Sequence, residues 1–150
     1  GNFFLIGDID IENPSAISDS LVKYWKSKKL INYLSHQNNI QKYMKKSSLI
    51  VLPSYREGFP KVLMEAAACG RAIITTNVPG CKDAIIDNVT GILIHAKTPT
   101  AIAKPILKIF KKRTILKKMG KAAREHAQKN FNINDVVSKH LYIYKKLLND

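Results

Sequence analysis

SYREGFPKVLMEAAACG, residues 54–70, follows a short apolar strand over Leu49–Leu52 and places two acids, Glu57 and Glu65, on either side of a Gly-Phe-Pro turn. The turn opens a helix. Pro60 suits the first helical position, where its missing N–H costs nothing and its fixed φ is already right. The amides of Lys61, Val62 and Leu63 are then expected to point out of the helix start, where an anion such as a phosphate can be held. Glu65 falls more than a turn further in, and its carboxylate can accept two hydrogen bonds from neighbouring hydroxyls, as on a ribose. Glu57 stands before the helix, on the loop at the carboxyl end of the strand. In an open α/β sheet that is where ligands bind.

E-G-F-P-x-x-x-x-E, followed by A-x-x-x-G, a strand and a Pro-Gly turn, resembles the E-x7-E signature of retaining glycosyltransferases of family 4, which have the two-domain GT-B fold. The likeness extends on both sides, through GDIDIENPSAIS, the Tyr33-Leu34 strand end, IVLPSYREGFP, IITTNVPGCKDAI and TGILI. Bacterial members build capsule, lipopolysaccharide or lipid-linked oligosaccharides. The resemblance implies that Glu65 holds the nucleotide ribose and that Glu57, as the catalytic candidate, faces the donor sugar in a positioning and electrostatic role. It implies that Gly58, Phe59, Pro60, Lys61, Val62 and Leu63 line the sugar and diphosphate. Phe59 either packs against the helix start or lies beside the sugar. Lys61 is the nearest cation to offset the two acids. Ser35 and His36 fall where the family's base rests against backbone.

Strands alternate with helices along the chain. Short apolar runs over 3–6, 30–34, 49–52, 72–75 and 91–94 read as strands. Helical patterns cover 13–27, 39–46, 60–69, a turn at 81–86, 99–129 with a break near 112–114, and 134–148. This predicts an α/β fold, a Rossmann-like doubly wound parallel sheet with helices on both faces. At 150 residues the chain is expected to form a single domain. By the resemblance it corresponds to the C-terminal half of a GT-B enzyme. It then lacks the upstream Gly-rich strand turn with its basic pair, and the N-terminal acceptor domain, so a protein roughly twice as long or more is expected.

The formal charge is +14 and uneven: from Thr98 onward thirteen Lys or Arg face three acids, Glu125, Asp135 and Asp150. Such a surface calls for an acidic partner, or is simply a solvated lysine-rich face. An anionic membrane is preferred, because the resembled enzymes work on lipid-linked acceptors. No nucleic-acid motif is present, and no nucleic acid is expected. No run is long and apolar enough to span a bilayer. Cys69 and Cys81 show no metal or disulfide spacing; Cys69 reads as a small buried residue and Cys81 as a surface thiol or packing. A reducing cytoplasm and the inner face of the membrane are the expected location. His95, His126 and His140 are scattered, with no spacing that would build a metal site with Asp or Cys, so no metal and no other cofactor is expected. Tyr142, Ile143, Tyr144, Leu147 and Leu148 form a terminal apolar stripe that either packs in the core or meets the N-terminal domain.

The expected function is therefore the donor-binding half of a retaining enzyme. It would take a hexosyl or N-acetylhexosaminyl group from a nucleotide sugar, UDP-linked by the commonest case, to a lipid-linked or polysaccharide acceptor in cell-surface glycan synthesis. The fragment alone is expected to be inactive. An epimerase or phosphorylase of the same fold lacks its expected residue pattern here. The alternative of another class is a basic module that binds nucleic acid or membrane without catalysis.

Overall fold

The computed structural model describes residues 1–13, 16–95 and 98–149. The chain divides into two compact units, Gly1–Ile40 and Gln41–Asp150.

In the first unit β1 (Phe4–Ile6) pairs in parallel with β2 (Asn32–Leu34), Leu5 opposite Tyr33. The helix between them, α1 (Asp19–Ser27), starts later than the expected residue 13. Ser18 is its N-cap, its Oγ accepting the Leu21 amide at 3.3 Å. Pro14 and Ser15 lie outside the described residues. Leu30 and Ile31, expected in the strand, are not part of it, and the reason for Leu30 is local. Lys29 takes φ +55°, its amide donates to Lys26 O, and the Leu30 amide donates to Trp25 O at 2.9 Å. That is a Schellman closure of α1, and it holds Leu30 in the helix cap rather than in the sheet.

α2 (Ile40–Lys46) leads into the second unit, whose sheet has the parallel order β3 (Leu49–Leu52), β4 (Ala72–Thr76), β5 (Gly91–Ile94). Every residue of β4 is buried, as expected of the middle strand of a parallel sheet covered on both faces. Ala72, Ile74 and Ile94 form a core with Ile109, Leu116 and Met119, which come from α4 (Pro99–Phe110) and α5 (Arg113–Asn130). α3 (Lys61–Ala68) connects β3 to β4 and buries Leu63, Ala66 and Ala67. It ends as the sequence implies: Gly70 at φ +67° closes a second Schellman motif, with the Arg71 amide on Ala66 O at 3.0 Å. α5 crosses α3 closely at Gly120, where a Cβ would lie 2.2 Å from Gly70 O. Arg124 fastens the crossing by donating to Ala68 O at 2.9 Å. A single 3-10 turn, Lys82–Ala84, stands between β4 and β5. The last helix, α6 (Ile133–Asn149), is exposed along its whole described face, residues 133–148.

Candidate active site

The 54–70 turn lies in the second unit, at the carboxyl end of β3 and beside that of β4. Its backbone is fixed from behind. Thr75 Oγ1 donates to Leu52 O at 2.8 Å, and Thr76 Oγ1 donates to Ser54 O. Both threonines are buried, so the central strand holds the last residues of β3 and the first of the loop through two water-excluded hydrogen bonds. The sequence reading ended this strand at Thr75 and gave neither threonine a role; two consecutive hydroxyls at the end of an otherwise apolar strand were the available signal.

A second support comes from the Pro79-Gly80 turn. Gly80 has φ +80°, and a Cβ there would lie 1.9 Å from Gly58 O and 2.7 Å from Glu57 O. Its amide is held by Asp83 Oδ2 at 2.9 Å. Only glycine fits, both for its backbone angle and for the contact. Cys81, next in sequence, is fully buried, which settles it as packing rather than as a surface thiol; Cys69, expected to be buried, is half-buried at the C-cap of α3.

Pro60 is not the first helical residue. Its ψ of 113° is extended and makes it the N-cap, with the helix beginning at Lys61. The Leu63 amide is accordingly not free: it donates to Pro60 O at 3.0 Å. Leu63 is also fully buried, so it supports the helix start and offers an anion nothing. The amides of Lys61 and Val62 have no partner among the described residues, and these two remain to meet a ligand. Glu57 is half-buried, Gly58 exposed and Pro60 buried. Glu65 keeps 22 % of its side chain exposed, against 84 % for Lys61, whose Nζ stands 3.8 Å from Glu65 Oε1. At that distance and exposure the pair contributes about 0.5 kcal/mol at most, so Lys61 is easily drawn off by a stronger anion. Phe59, half exposed, meets the ring of Phe131 edge-on at 5.6 Å, and Phe131 meets His126 at 5.2 Å. One face of Phe59 is thereby taken up in packing.

Beside the turn is a cleft of about 160 Å³ lined by Pro53, Tyr55, Thr76, Ile94, His95 and Ile102, at the carboxyl ends of all three strands. Ser35 and His36 belong to the first unit, where the His36 amide donates to Asp8 Oδ1 at 2.9 Å. Among the described residues no group of three or more His, Cys, Asp and Glu comes together.

Residues 10–126 match the family model described as glycosyl transferases group 1. The chain belongs to this family. The parallel α/β fold expected for a GT-B glycosyltransferase domain is the one observed. A relative from Campylobacter jejuni, N,N'-diacetylbacillosaminyl-diphospho-undecaprenol alpha-1,3-N-acetylgalactosaminyltransferase, is 29 % identical over 147 residues, 98 % of this chain and 38 % of that protein. Among solved structures, sucrose-phosphate synthase from Thermosynechococcus elongatus superposes with a TM-score of 0.87 at 25 % identity, over 97 % of this chain and 38 % of the other. The Anabaena protein HepE, in complex with UDP, superposes with a TM-score of 0.83 at 19 % identity, over 99 % of this chain and 41 % of its own. This group 1 glycosyltransferase domain therefore spans well under half of the proteins it matches.

Proposed function

We propose that the chain is the donor-binding domain of a retaining glycosyltransferase. It takes a hexosyl or N-acetylhexosaminyl group from a UDP-sugar for a lipid-linked or polysaccharide acceptor in cell-surface glycan synthesis. The observation that carries the reading is the turn at the start of α3. Two free amides, an exposed lysine paired with the half-buried Glu65, and the half-buried Glu57 of the preceding loop follow the carboxyl end of β3. In this reading the Lys61 and Val62 amides and the Lys61 ammonium meet the diphosphate. Glu65 accepts the ribose hydroxyls, and Glu57, held through its backbone against Gly80, faces the sugar. No protein nucleophile is invoked; the departing diphosphate assists attack on the same face of the sugar.

The nucleotide follows by analogy with HepE, whose structure contains UDP. The acceptor class follows by analogy with the C. jejuni relative, whose name gives an N-acetylgalactosaminyl group and a diphospho-undecaprenol acceptor. In this reading an upstream Gly-rich turn with a basic pair supplies further cations, and a second domain of the same enzyme brings the acceptor. The exposed apolar stripe of α6, with Leu141 52 % and Leu148 83 % exposed, is consistent with a helix that meets such a domain.

Calorimetric titration with UDP, GDP and ADP tests the reading. Selective UDP binding is expected, weakened about 100-fold in Glu65→Ala by loss of two hydrogen bonds to a charged acceptor, at about 1.5 kcal/mol each. Selective UDP binding unchanged in that variant removes Glu65 from the ribose. Absence of selectivity among the three nucleotides removes UDP as the donor base.

A further inference from the structure

We infer that the corner between α4 and α5 is a docking surface for an anionic lipid bilayer. Between Thr98 and Arg124 the sequence has nine Lys or Arg and no acid. All nine are exposed. Arg124 is engaged with Ala68 O, and Lys121 stands 3.9 Å from Glu125; the other seven make no ion pair among the described residues. Charge alone would suit any polyanion. The apolar side chains among these cations decide between partners.

α4 is apolar on two sides. Ile102, Ile106 and Ile109 pack into the core beneath β4 and β5. Leu107 and Phe110 do not: they are 64 % and 47 % exposed, and Ile115, in the first turn of α5, is 37 % exposed. Lys104, Leu107, Lys108 and Lys111 follow i, i+3, i+4, i+7 and so share one helical face. A leucine and a phenylalanine left in water, bracketed by lysines a turn away, match the interface of an anionic membrane. The rings and methyls enter the acyl boundary, while the lysine stems lie along it and their ammonium groups reach the headgroups. A nucleic acid would use the lysines and leave Leu107 and Phe110 idle. The surface lies outside the α3 turn, so this inference does not depend on the donor reading.

Sedimentation of the 150-residue chain tests it, with vesicles of phosphatidylcholine alone and of equimolar phosphatidylcholine and phosphatidylglycerol. Binding to the anionic vesicles and not to the neutral ones is expected. Lys108→Glu combined with Lys111→Glu should weaken it about 30-fold or more, at about 1 kcal/mol per lysine. Leu107→Ser combined with Phe110→Ser, which leaves the charge intact, should weaken it about tenfold. Leu141→Ser with Leu148→Ser in α6 serves as the control and should change it by less than about threefold. All substituted side chains are exposed, so circular dichroism should be unchanged. No binding to anionic vesicles overturns the inference, as does binding that survives both α4 variants or is lost only in the α6 variant. Binding of a DNA duplex that falls with the lysine pair and ignores the Leu107–Phe110 pair, with vesicle binding equally indifferent to the latter, transfers the surface to nucleic acid. UDP titration of the same variants should match the unsubstituted chain, so failure here and failure of the donor assignment are read separately.

Discussion

Replacing Gly80 by alanine should disable the site without touching a ligand. The added Cβ would lie 1.9 Å from Gly58 O, where ordinary contact begins at 3.4 Å, so one loop must retreat by about 1.5 Å. The Pro79-Gly80 turn has little room to do so. Cys81 behind it is fully buried, and the Gly80 amide is tied to Asp83. The Glu57-Gly58 peptide, on an exposed loop, is the part that yields. Two costs add: about 1 kcal/mol for a side chain at φ +80°, and about 1–3 kcal/mol for the forced repacking. We expect a loss of about 2–4 kcal/mol in urea unfolding. Gly58→Ala, whose Cβ meets nothing within 4 Å, should cost less than about 1 kcal/mol. Function should separate further. Displacing Glu57 by more than an ångström should lower sugar transfer by the full-length enzyme about 100-fold. UDP binding, which depends on α3 rather than on the loop, should stay within about threefold. Unimpaired transfer in Gly80→Ala would refute the reasoning, because it would mean that the position of Glu57 does not depend on this contact.

Two other substitutions probe the supports of the turn. Thr76→Val removes the hydroxyl that donates to Ser54 O and leaves that carbonyl unpaired near a buried strand end; chemical unfolding should show a loss of about 1–2 kcal/mol. Gly120→Ala places a Cβ 2.2 Å from Gly70 O and forces α5 off α3, so thermal unfolding should register about 2–4 kcal/mol and a lowered midpoint.

Most of the fold is legible in the sequence because its elements are bounded by residues with one strong preference. Gly70 ends α3 where the sequence places it, and β3 and β5 are read to the residue, because each is a short apolar run with a hydroxyl residue, Ser48 or Thr90, before it and Pro53 or His95 after it. The ends that shift are those where a cap competes with a pattern. Lys29 adopts the left-handed conformation that glycine usually takes, so nothing in its identity marks the end of α1. Pro60 is compatible with both N-cap and first helical position, since each accepts φ near −65°, and only ψ, which the sequence does not determine, separates them. The pair of acids is legible for a different reason: a glutamate among Leu63, Met64, Ala66 and Ala67 departs from its surroundings. What holds the acids is hidden, because the contacts of Thr76 with Ser54 and of Gly80 with Gly58 join segments more than twenty residues apart.

The charge of the turn leads to one more test. A diphosphate brought to the start of α3 meets two carboxylates, partly offset by the ammonium of Lys61. A carboxylate about 6 Å from a phosphate charge repels it by about 3 kcal/mol at an effective dielectric constant of 20, and solvent at the half-exposed turn reduces this further. Glu65 has a reason to be there, since its oxygens are proposed to accept the ribose hydroxyls. Glu57 touches no part of free UDP in this reading, so toward UDP it contributes repulsion alone. Glu57→Gln keeps the size of the side chain and removes its charge. It should therefore bind UDP more tightly, by about three- to tenfold at low salt, with the gain shrinking as salt is added, while the full-length enzyme transfers sugar at least about 100-fold more slowly. Opposite movement of the two readouts is the signature of a charge placed for the sugar at the expense of the nucleotide. If UDP affinity and transfer fall together in Glu57→Gln, Glu57 contacts the nucleotide itself, and the division of labour between the two glutamates is wrong.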